Sequence, residues 1–330
     1  MSKNSMPCTI NSLMRKMRKN GIAINGSNQK KQLINCGYFH GYKGYRFFNK
    51  SSNKIKYNDF ESLIIVINYD SKLKELFYSG VMFLETAIKN IVVVETIKDL
   101  NDASFDTIYK SKMTDCPNNS KLRLRRMRIR DFIHTKLSKI YGYSDRSNKN
   151  SQATIVSHFY NRGDEIPIWA LFEIISLGDF AEFIWCLNKD IREEILKYLD
   201  IYSSADTDRQ LLSTILYTIK SLRNAIAHNN VIFDTRFTDR SPSRSLLAWL
   251  NQFTKINNIT FNSIVDFLIL ICVMIYKIDK NNELIPRMIN EFEDSINELY
   301  NQLDTSIYTK IVSTDTRKKL QLLRKLLQIK

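Results

Sequence analysis

The sequence of 330 residues contains few of the residues that make tight turns, covalent cross-links or metal sites. Nine glycines and five prolines are too few for a fold built of many short strands and turns. The five cysteines, at positions 8, 36, 116, 186 and 272, form no C-x-x-C pair, and there are only four histidines. This usage indicates neither a zinc site nor a disulfide framework. We therefore expect an all-α, cytoplasmic protein with no cofactor and no metal.

Long apolar segments are scarce as well. The longest uninterrupted apolar run, Phe267 to Tyr276, has ten residues, about half the length that a helix needs to cross a bilayer. The first twenty residues lack the apolar core that is typical of a signal peptide. From these two absences we expect no membrane segment.

Acidic residues are missing from the first 58 positions, which hold twelve Lys or Arg, and the whole chain has a net charge of +15. Such an excess favours a polyanionic partner. Aromatic residues between 38 and 48 alternate with Lys43 and Arg46, a composition that can stack unpaired bases and neutralise phosphate; a small aromatic core explains it equally well. The basic residues that we predict to contact RNA are Arg15, Lys16, Arg18, Lys19, Lys30, Lys31, Lys43, Arg46, Arg123, Arg125, Arg126, Arg128 and Arg130.

Hydrophobic periodicity predicts helices along most of the chain. A turn-rich aromatic segment is predicted at 36–48, a polar linker at 144–151 and an interruption near Gly80. The predicted helices lie near 9–19, 59–99, 167–187, 211–226, 244–256, 260–278, 284–303 and 317–328. We divide the chain into a basic, aromatic-rich RNA-binding segment (1–58), a helical core (59–258) and C-terminal helices (259–330).

The end of the 211–226 helix carries polar residues suited to phosphodiester chemistry. Arg223 offers a planar charged fork for phosphate oxygens, Asn224 can orient a neighbour by amide hydrogen bonds, and His228 can exchange a proton near neutrality. By itself the spacing is a weak signal, because Arg128, in the arginine-rich stretch 121–130, and His134 form a similar pair. A helix-terminal histidine beside a surface arginine is the structural alternative.

The surrounding sequence strengthens the catalytic interpretation through a resemblance. The segment RNAIAH at 223–228 resembles the R-N-x-x-x-H signature of the HEPN ribonuclease superfamily, and residues 33–240 resemble the Abi-like abortive-infection family, the AbiD/AbiF group. The motifs that carry the second resemblance are GYF at 37–39, NYD at 68–70, LE at 84–85, SHFY at 157–160, PIWALFE at 167–173 and SLG at 176–178. Lys89 stands where Arg is expected and Phe233 where Trp is usual.

This resemblance implies an HEPN-type helical bundle, here with a basic N-terminal extension and additional C-terminal helices. It also implies RNA as the substrate, Arg223 and His228 as catalytic residues, a toxin-like role in phage defence, and control by a small noncoding RNA.

The spacing within the motif has a geometric consequence. Five residues along an ideal helix correspond to a rotation of about 140°, so Arg223 and His228 on one straight helix point apart. Either the helix ends before His228, or two copies of the motif meet across a two-fold axis. HEPN nucleases are similar in using paired motifs, so we expect a homodimer. The competing arrangement is a single chain in which the Arg128/His134 pair faces the Arg223/His228 pair.

Two carboxylates on apolar helices are candidate supports for the site. Glu85 lies on a stripe that should be buried, where an unpaired carboxylate is costly, and orienting Arg223 would be its role. Glu173 is the second candidate, and a structural ion pair is the alternative for both. We interpret Asp70 as a polar residue at a helix boundary.

The sequence thus predicts a metal-independent HEPN endoribonuclease that cuts RNA by attack of the 2′-hydroxyl, with RNA as its partner and no membrane. The alternatives are a non-catalytic RNA-binding protein and a helical partner of a toxin or antitoxin.

Overall fold

The computed structural model describes residues 8–115, 119–142, 158–159, 162–238 and 241–329. About 69% of the chain is helical, and the described ranges contain no strand, which confirms the all-α prediction. The helices are α1 (Ile10–Lys19), α2 (Gly26–Cys36), α3 (Phe60–Ile97), α4 (Phe105–Lys112), α5 (Ser120–Gly142), α6 (Ile168–Ile174), α7 (Leu177–Cys186), α8 (Lys189–Tyr198), α9 (Leu211–Ala227), α10 (Arg244–Thr254), α11 (Ile264–Ile278), α12 (Leu284–Gln302), α13 (Thr305–Ile311) and α14 (Thr316–Leu327). A π-helical segment, Gly37–Lys43, directly follows α2.

Helix α3 is the central element, 38 residues long. It begins at Asp59, whose carboxylate accepts a hydrogen bond from the Ser62 amide at 2.7 Å, the usual N-cap interaction. The interruption predicted near Gly80 is wrong, because α3 is continuous. Gly80 instead allows close packing: a Cβ there would lie 2.8 Å from Ile271 Cγ2 on α11 and 2.8 Å from Met288 Sδ on α12.

By length and mean hydropathy, α3 is the one described helix that could cross a membrane. The same composition suits a core helix, and α3 packs against α12, α11 and α9. Its buried side chains, among them Leu63, Leu73 and Leu84, belong to the main hydrophobic core.

The N-terminal segment packs into the same core. Met17, Leu33, Tyr42 and Tyr45 are buried in one hydrophobic cluster with residues of α3, α9, α11 and α12. The core therefore continues across both predicted domain boundaries, at 58 and at 258.

The aromatic segment is mainly part of this core. Tyr42 and Tyr45 are about 1% exposed, and the π-helical turn requires a glycine at 41, because a Cβ there would lie 2.9 Å from the Cys36 carbonyl oxygen. Phe39, by contrast, is 78% exposed, and His40 beside it is also exposed. The aromatic-core interpretation thus holds for the tyrosines and fails for these two residues.

The predicted helices correspond to α1, α3, α9, α10, α11, α12 and α14 within a few residues. Helices α2, α8 and α13 were not predicted. The single helix predicted at 167–187 is wrong, because α6 ends at Ile174, Ile175 is extended, and Ser176 caps the start of α7. The polar linker at 144–151, Cys116, and residues 157 and 160 of the family pattern lie outside the described residues.

Candidate active site

Helix α9 ends immediately before His228. The Asn230 amide donates to the Ala225 carbonyl at 2.8 Å and the Asn229 amide to the Ile226 carbonyl at 3.0 Å, the paired bonds of a Schellman ending. Asn229 has φ of 52°, a left-handed conformation that asparagine tolerates better than most residues. His228 is therefore the exposed C-cap of α9. The helix ends before His228, which is the first of the two alternatives that the spacing left open.

A buried carboxylate holds the segment that follows His228. Asp70 is fully buried and accepts hydrogen bonds from the amides of Ile232 at 2.8 Å and Phe233 at 2.7 Å. Tyr45 Oη donates to it at 2.7 Å, and Lys74 Nζ lies 2.8 Å from it. The interpretation of Asp70 as a helix-boundary residue is wrong: it lies well inside α3 and fixes the path of the chain after His228.

A second buried carboxylate attaches the aromatic segment to the same loop. Asp234 is fully buried and paired with Arg236. The Arg236 guanidinium also donates to the carbonyls of Gly44 at 2.7 Å and Phe47 at 2.8 Å. These bonds bring residues 39–47 against the end of α9.

The result is an open cleft, about 580 Å³ in volume, at the end of α9. Its polar lining consists of His40, Lys220, Ser221, Asn224, His228, Asn230 and Arg236, with Phe39 at one side. Ser221, Asn224 and His228 follow helical spacing, so they share one face. The cleft brings together two imidazoles, two cations, two amides and a hydroxyl, and His40 was not identified from the sequence.

Arg223 lies on another face of α9 and does not line this cleft. Its Nε is 3.9 Å from Glu85 Oε2 on α3, which is too long for a hydrogen bond. Glu85 is largely buried and accepts a hydrogen bond from Lys89 at 2.9 Å through its other oxygen, whereas Oε2 has no hydrogen-bond partner. The expected contact of Glu85 with Arg223 is therefore present but loose, and the Arg223 side chain is 40% exposed.

Glu173 does not join this group. It is exposed on α6, and no ion pair engages it within the described ranges. His134 is placed on α5 beside Asp106 at 3.2 Å and the ring of Phe105. Neither Arg128 nor His134 lines the His228 cleft.

Comparison with known proteins now has a geometric context. A profile described as Abi-like protein matches residues 31–234, more than half of the chain, including α9 and both buried carboxylates. The chain belongs to the Abi-like protein family. Membership indicates a role in abortive infection, a form of phage defence. Searches of curated proteins and of solved structures gave no match.

In this Abi-like protein four cations lie together on the N-terminal segment, and we call Lys16, Lys43, Arg46 and Lys54 the basic cluster. Burial lowers the pKa of Lys43, and the charges of Arg46, Lys16 and Lys54 lower it further. Lys43 and Arg46 also lie within 6 Å of the Tyr42 ring. Within the described residues no ion pair neutralises the cluster, which makes it a candidate surface for phosphates.

The predicted basic residues on α5 divide into two groups. Arg125 is paired with Glu182, donates to Tyr217 Oη at 3.0 Å and stacks at 4.0 Å on the Trp185 ring. Arg126 lies over the Tyr109 ring. These two arginines contribute to packing, whereas Arg123 and Arg128 are exposed.

The remaining predicted contacts lie on α1 and α2. Arg15 donates to Ser12 at 3.2 Å and Arg18 to the Ile24 carbonyl at 3.1 Å, while Lys19 and Lys31 are exposed and Lys30 is half-buried.

Among the described residues no three of His, Cys, Asp or Glu are grouped as a metal site would require.

Proposed function

We propose that this Abi-like protein is an abortive-infection toxin that cleaves RNA as a metal-independent endoribonuclease of the HEPN type. The observation that carries the proposal is the cleft at the end of α9, where His228 faces the same open space as His40, Asn224, Lys220 and Arg236. Imidazoles supply proton transfer near neutrality, and the cations attract a phosphate.

The reaction that suits these groups is attack of a ribose 2′-oxygen on the adjacent phosphorus. One imidazole accepts the 2′-hydroxyl proton while the new P–O bond forms. The bond from phosphorus to the 5′-oxygen breaks, and the other imidazole donates a proton to that leaving oxygen. The products are a 2′,3′-cyclic phosphate and a 5′-hydroxyl, so no water or further reactant is consumed.

Arg223 enters this site through a second copy of the chain. Its guanidinium has no hydrogen bond to Glu85 and is 40% exposed, so it can reach a phosphate held elsewhere. Tyr78 lies on the same face of α3, seven residues before Glu85, and is 56% exposed. An exposed aromatic side chain on the face of α3 that carries Glu85, and an arginine without a hydrogen bond to Glu85, support a homodimer in which each Arg223 reaches the partner's cleft.

The basic cluster holds RNA away from the point of cleavage. We expect its four cations to contact phosphates, and the rings of Tyr38 and Tyr42 lie beneath two of them, Lys43 and Arg46. A structured noncoding RNA bound there would occupy the approach to the cleft and control the toxin.

The test compares His228→Ala and Arg223→Ala with the wild-type protein on RNA and on cell growth. His228→Ala should lose about 10²- to 10⁴-fold in cleavage, the contribution of one positioned acid/base group. Arg223→Ala should lose about 10²- to 10³-fold, because it removes a group that stabilises charge on the phosphate, and both variants should lose toxicity. His134→Ala is the matched control, because that histidine lies outside the cleft, and it should cleave normally. If both His228→Ala and Arg223→Ala retained cleavage, the proposal would be contradicted and a purely RNA-binding protein would be favoured.

A further inference from the structure

A second cleft lies on the same face of α9, about 640 Å³ in volume, and shares Lys220 and Ser221 with the His228 cleft. Thr214, Thr218 and Ser221 line it at helical spacing. Each of these hydroxyls donates to a carbonyl four residues earlier, at 3.0 to 3.1 Å. Their oxygens are therefore left to accept hydrogen bonds, as the amino groups of bases and the hydroxyls of ribose would require.

Lys220 stands between the two clefts. It is half-buried, and within the described part of the chain neither a hydrogen bond nor an ion pair engages its ammonium group. A partly buried ammonium without a partner loses hydration and gains nothing in return. Such a group is well placed to bind an anion that enters from either cleft.

The position of Lys220 depends on Gly178, in the first turn of α7. A Cβ at position 178 would lie 3.0 Å from Lys220 Cε, 3.2 Å from Cδ and 3.3 Å from Nζ. The lysine side chain therefore extends across the surface of the glycine. An alanine at position 178 would push the lysine side chain aside by a few tenths of an ångström, which changes where its ammonium lies at the boundary between the clefts.

We propose that Lys220 binds a phosphodiester next to the one that is cleaved, and that the RNA strand passes over it into the hydroxyl-lined cleft, which holds a neighbouring nucleoside. Lys220 precedes His228 by eight residues, about 12 Å along the helix axis, and unlike His228 it also lines the second cleft, so it lies at the end of the His228 cleft that is away from that histidine. This inference rests on the proposed function, because the path of the strand starts from the phosphodiester that is cleaved at His228. The phosphate site itself is tested without cleavage.

The experiment measures binding of a 2′-O-methyl cytidine hexanucleotide, which lacks the attacking hydroxyl but keeps the amino groups of its bases, to the full-length protein at several salt concentrations. Lys220→Gln should weaken binding by about tenfold at 0.1 M salt, the size of one charge-assisted hydrogen bond. The slope of log affinity against log salt should decrease by about 0.7, one phosphate contact on a single strand. Lys220→Arg should retain the slope. Lys189→Gln, on an exposed lysine of α8, is the control and should match the wild type.

Gly178→Ala tests the packing separately, since the clash involves the flexible end of a side chain and leaves the fold intact. Alone it should weaken binding, but in the Lys220→Gln background it should have no further effect, because coupled residues are not additive. An unchanged slope in Lys220→Gln, equal effects of Gly178→Ala in both backgrounds, or absence of binding by the wild type would overturn the proposal. Because binding is read without cleavage, a protein that binds as predicted but never cuts RNA would refute the nuclease assignment alone.

Discussion

Replacing Asp70 should show how strongly the fold depends on the carboxylate that anchors the loop after His228. Asp70 is fully buried and accepts from two backbone amides and one tyrosine hydroxyl, with the Lys74 ammonium 2.8 Å away. Asp70→Ala leaves the two amides and the tyrosine hydroxyl without their acceptor. Lys74, about 10% exposed, keeps its hydrogen bond to Asn229 Oδ1 at 2.8 Å but loses its counter-charge. Breaking a buried ion pair from one side costs about 3–5 kcal/mol, a large part of the about 5–15 kcal/mol that a domain has.

The conservative variant separates charge from hydrogen bonding. In Asp70→Asn the remaining carbonyl oxygen can still accept from the Ile232 and Phe233 amides, whereas Lys74 loses its counter-charge. We expect a loss of about 1–3 kcal/mol, the cost of an unsatisfied buried polar group. Urea unfolding gives the free energies, and hydrogen exchange at Ile232 and Phe233 reports the loop directly.

Glu298→Gln is the matched control, since it also converts a carboxylate to an amide. Glu298 pairs with Lys72 on the surface, where both side chains are nearly half exposed, so its loss should cost less than about 1 kcal/mol. If Asp70→Ala costs no more than this control, the loop is not anchored by Asp70.

Three further outcomes are expected. Gly80→Ala should destabilise the protein by about 1–3 kcal/mol in urea unfolding, because α11 and α12 leave no room for a Cβ. His40→Ala should slow cleavage by about 10²- to 10⁴-fold, the contribution of one positioned acid/base group, while His134→Ala cleaves at the wild-type rate. Lys16→Gln combined with Arg46→Gln should lower the salt slope of RNA binding by about 1.4, two phosphate contacts, with folding unchanged.

Each of these has an outcome that would contradict it. A Gly80→Ala protein of wild-type stability would mean that the neighbouring helices separate freely. A wild-type rate of cleavage in His40→Ala would remove His40 from proton transfer. For the basic cluster the control is the double variant Lys189→Gln and Lys280→Gln, two exposed lysines; an equal fall in slope there would show that net charge alone is responsible.

The sequence predicted those features of the fold that depend on local periodicity. The apolar stripe from Leu211 to Ile226 predicts α9, and the same kind of pattern predicts the C-terminal helices. The fixed rotation per residue of a helix also predicts that the side chains of Arg223 and His228 point apart.

The missed features depend on contacts between distant segments. His40 lies 188 positions before His228 in the sequence, and its segment is brought to the cleft by the Asp234–Arg236 anchor and by the hydrogen bond from Tyr45 to Asp70. Asp70 looked like a boundary residue because no local pattern marks a carboxylate whose partners lie more than 160 residues away. The basic arginines of α5 look alike in sequence, yet Arg125 is internal because it meets Glu182 and Trp185 on α7. Gly80 was taken as a break for the same reason, since its neighbours belong to α11 and α12.

The nature of the RNA ends after cleavage tests the central claim most directly. Purified wild-type protein is incubated in EDTA with an RNA oligonucleotide, alongside the same oligonucleotide with 2′-deoxyribose at the mapped cleavage position, and the product termini are identified by mass spectrometry. The imidazole chemistry of the His228 cleft predicts a 2′,3′-cyclic phosphate with a 5′-hydroxyl, and no cleavage at the deoxy position. A 3′-hydroxyl with a 5′-phosphate, cleavage at the deoxy position, or activity only after Mg²⁺ is added would contradict it.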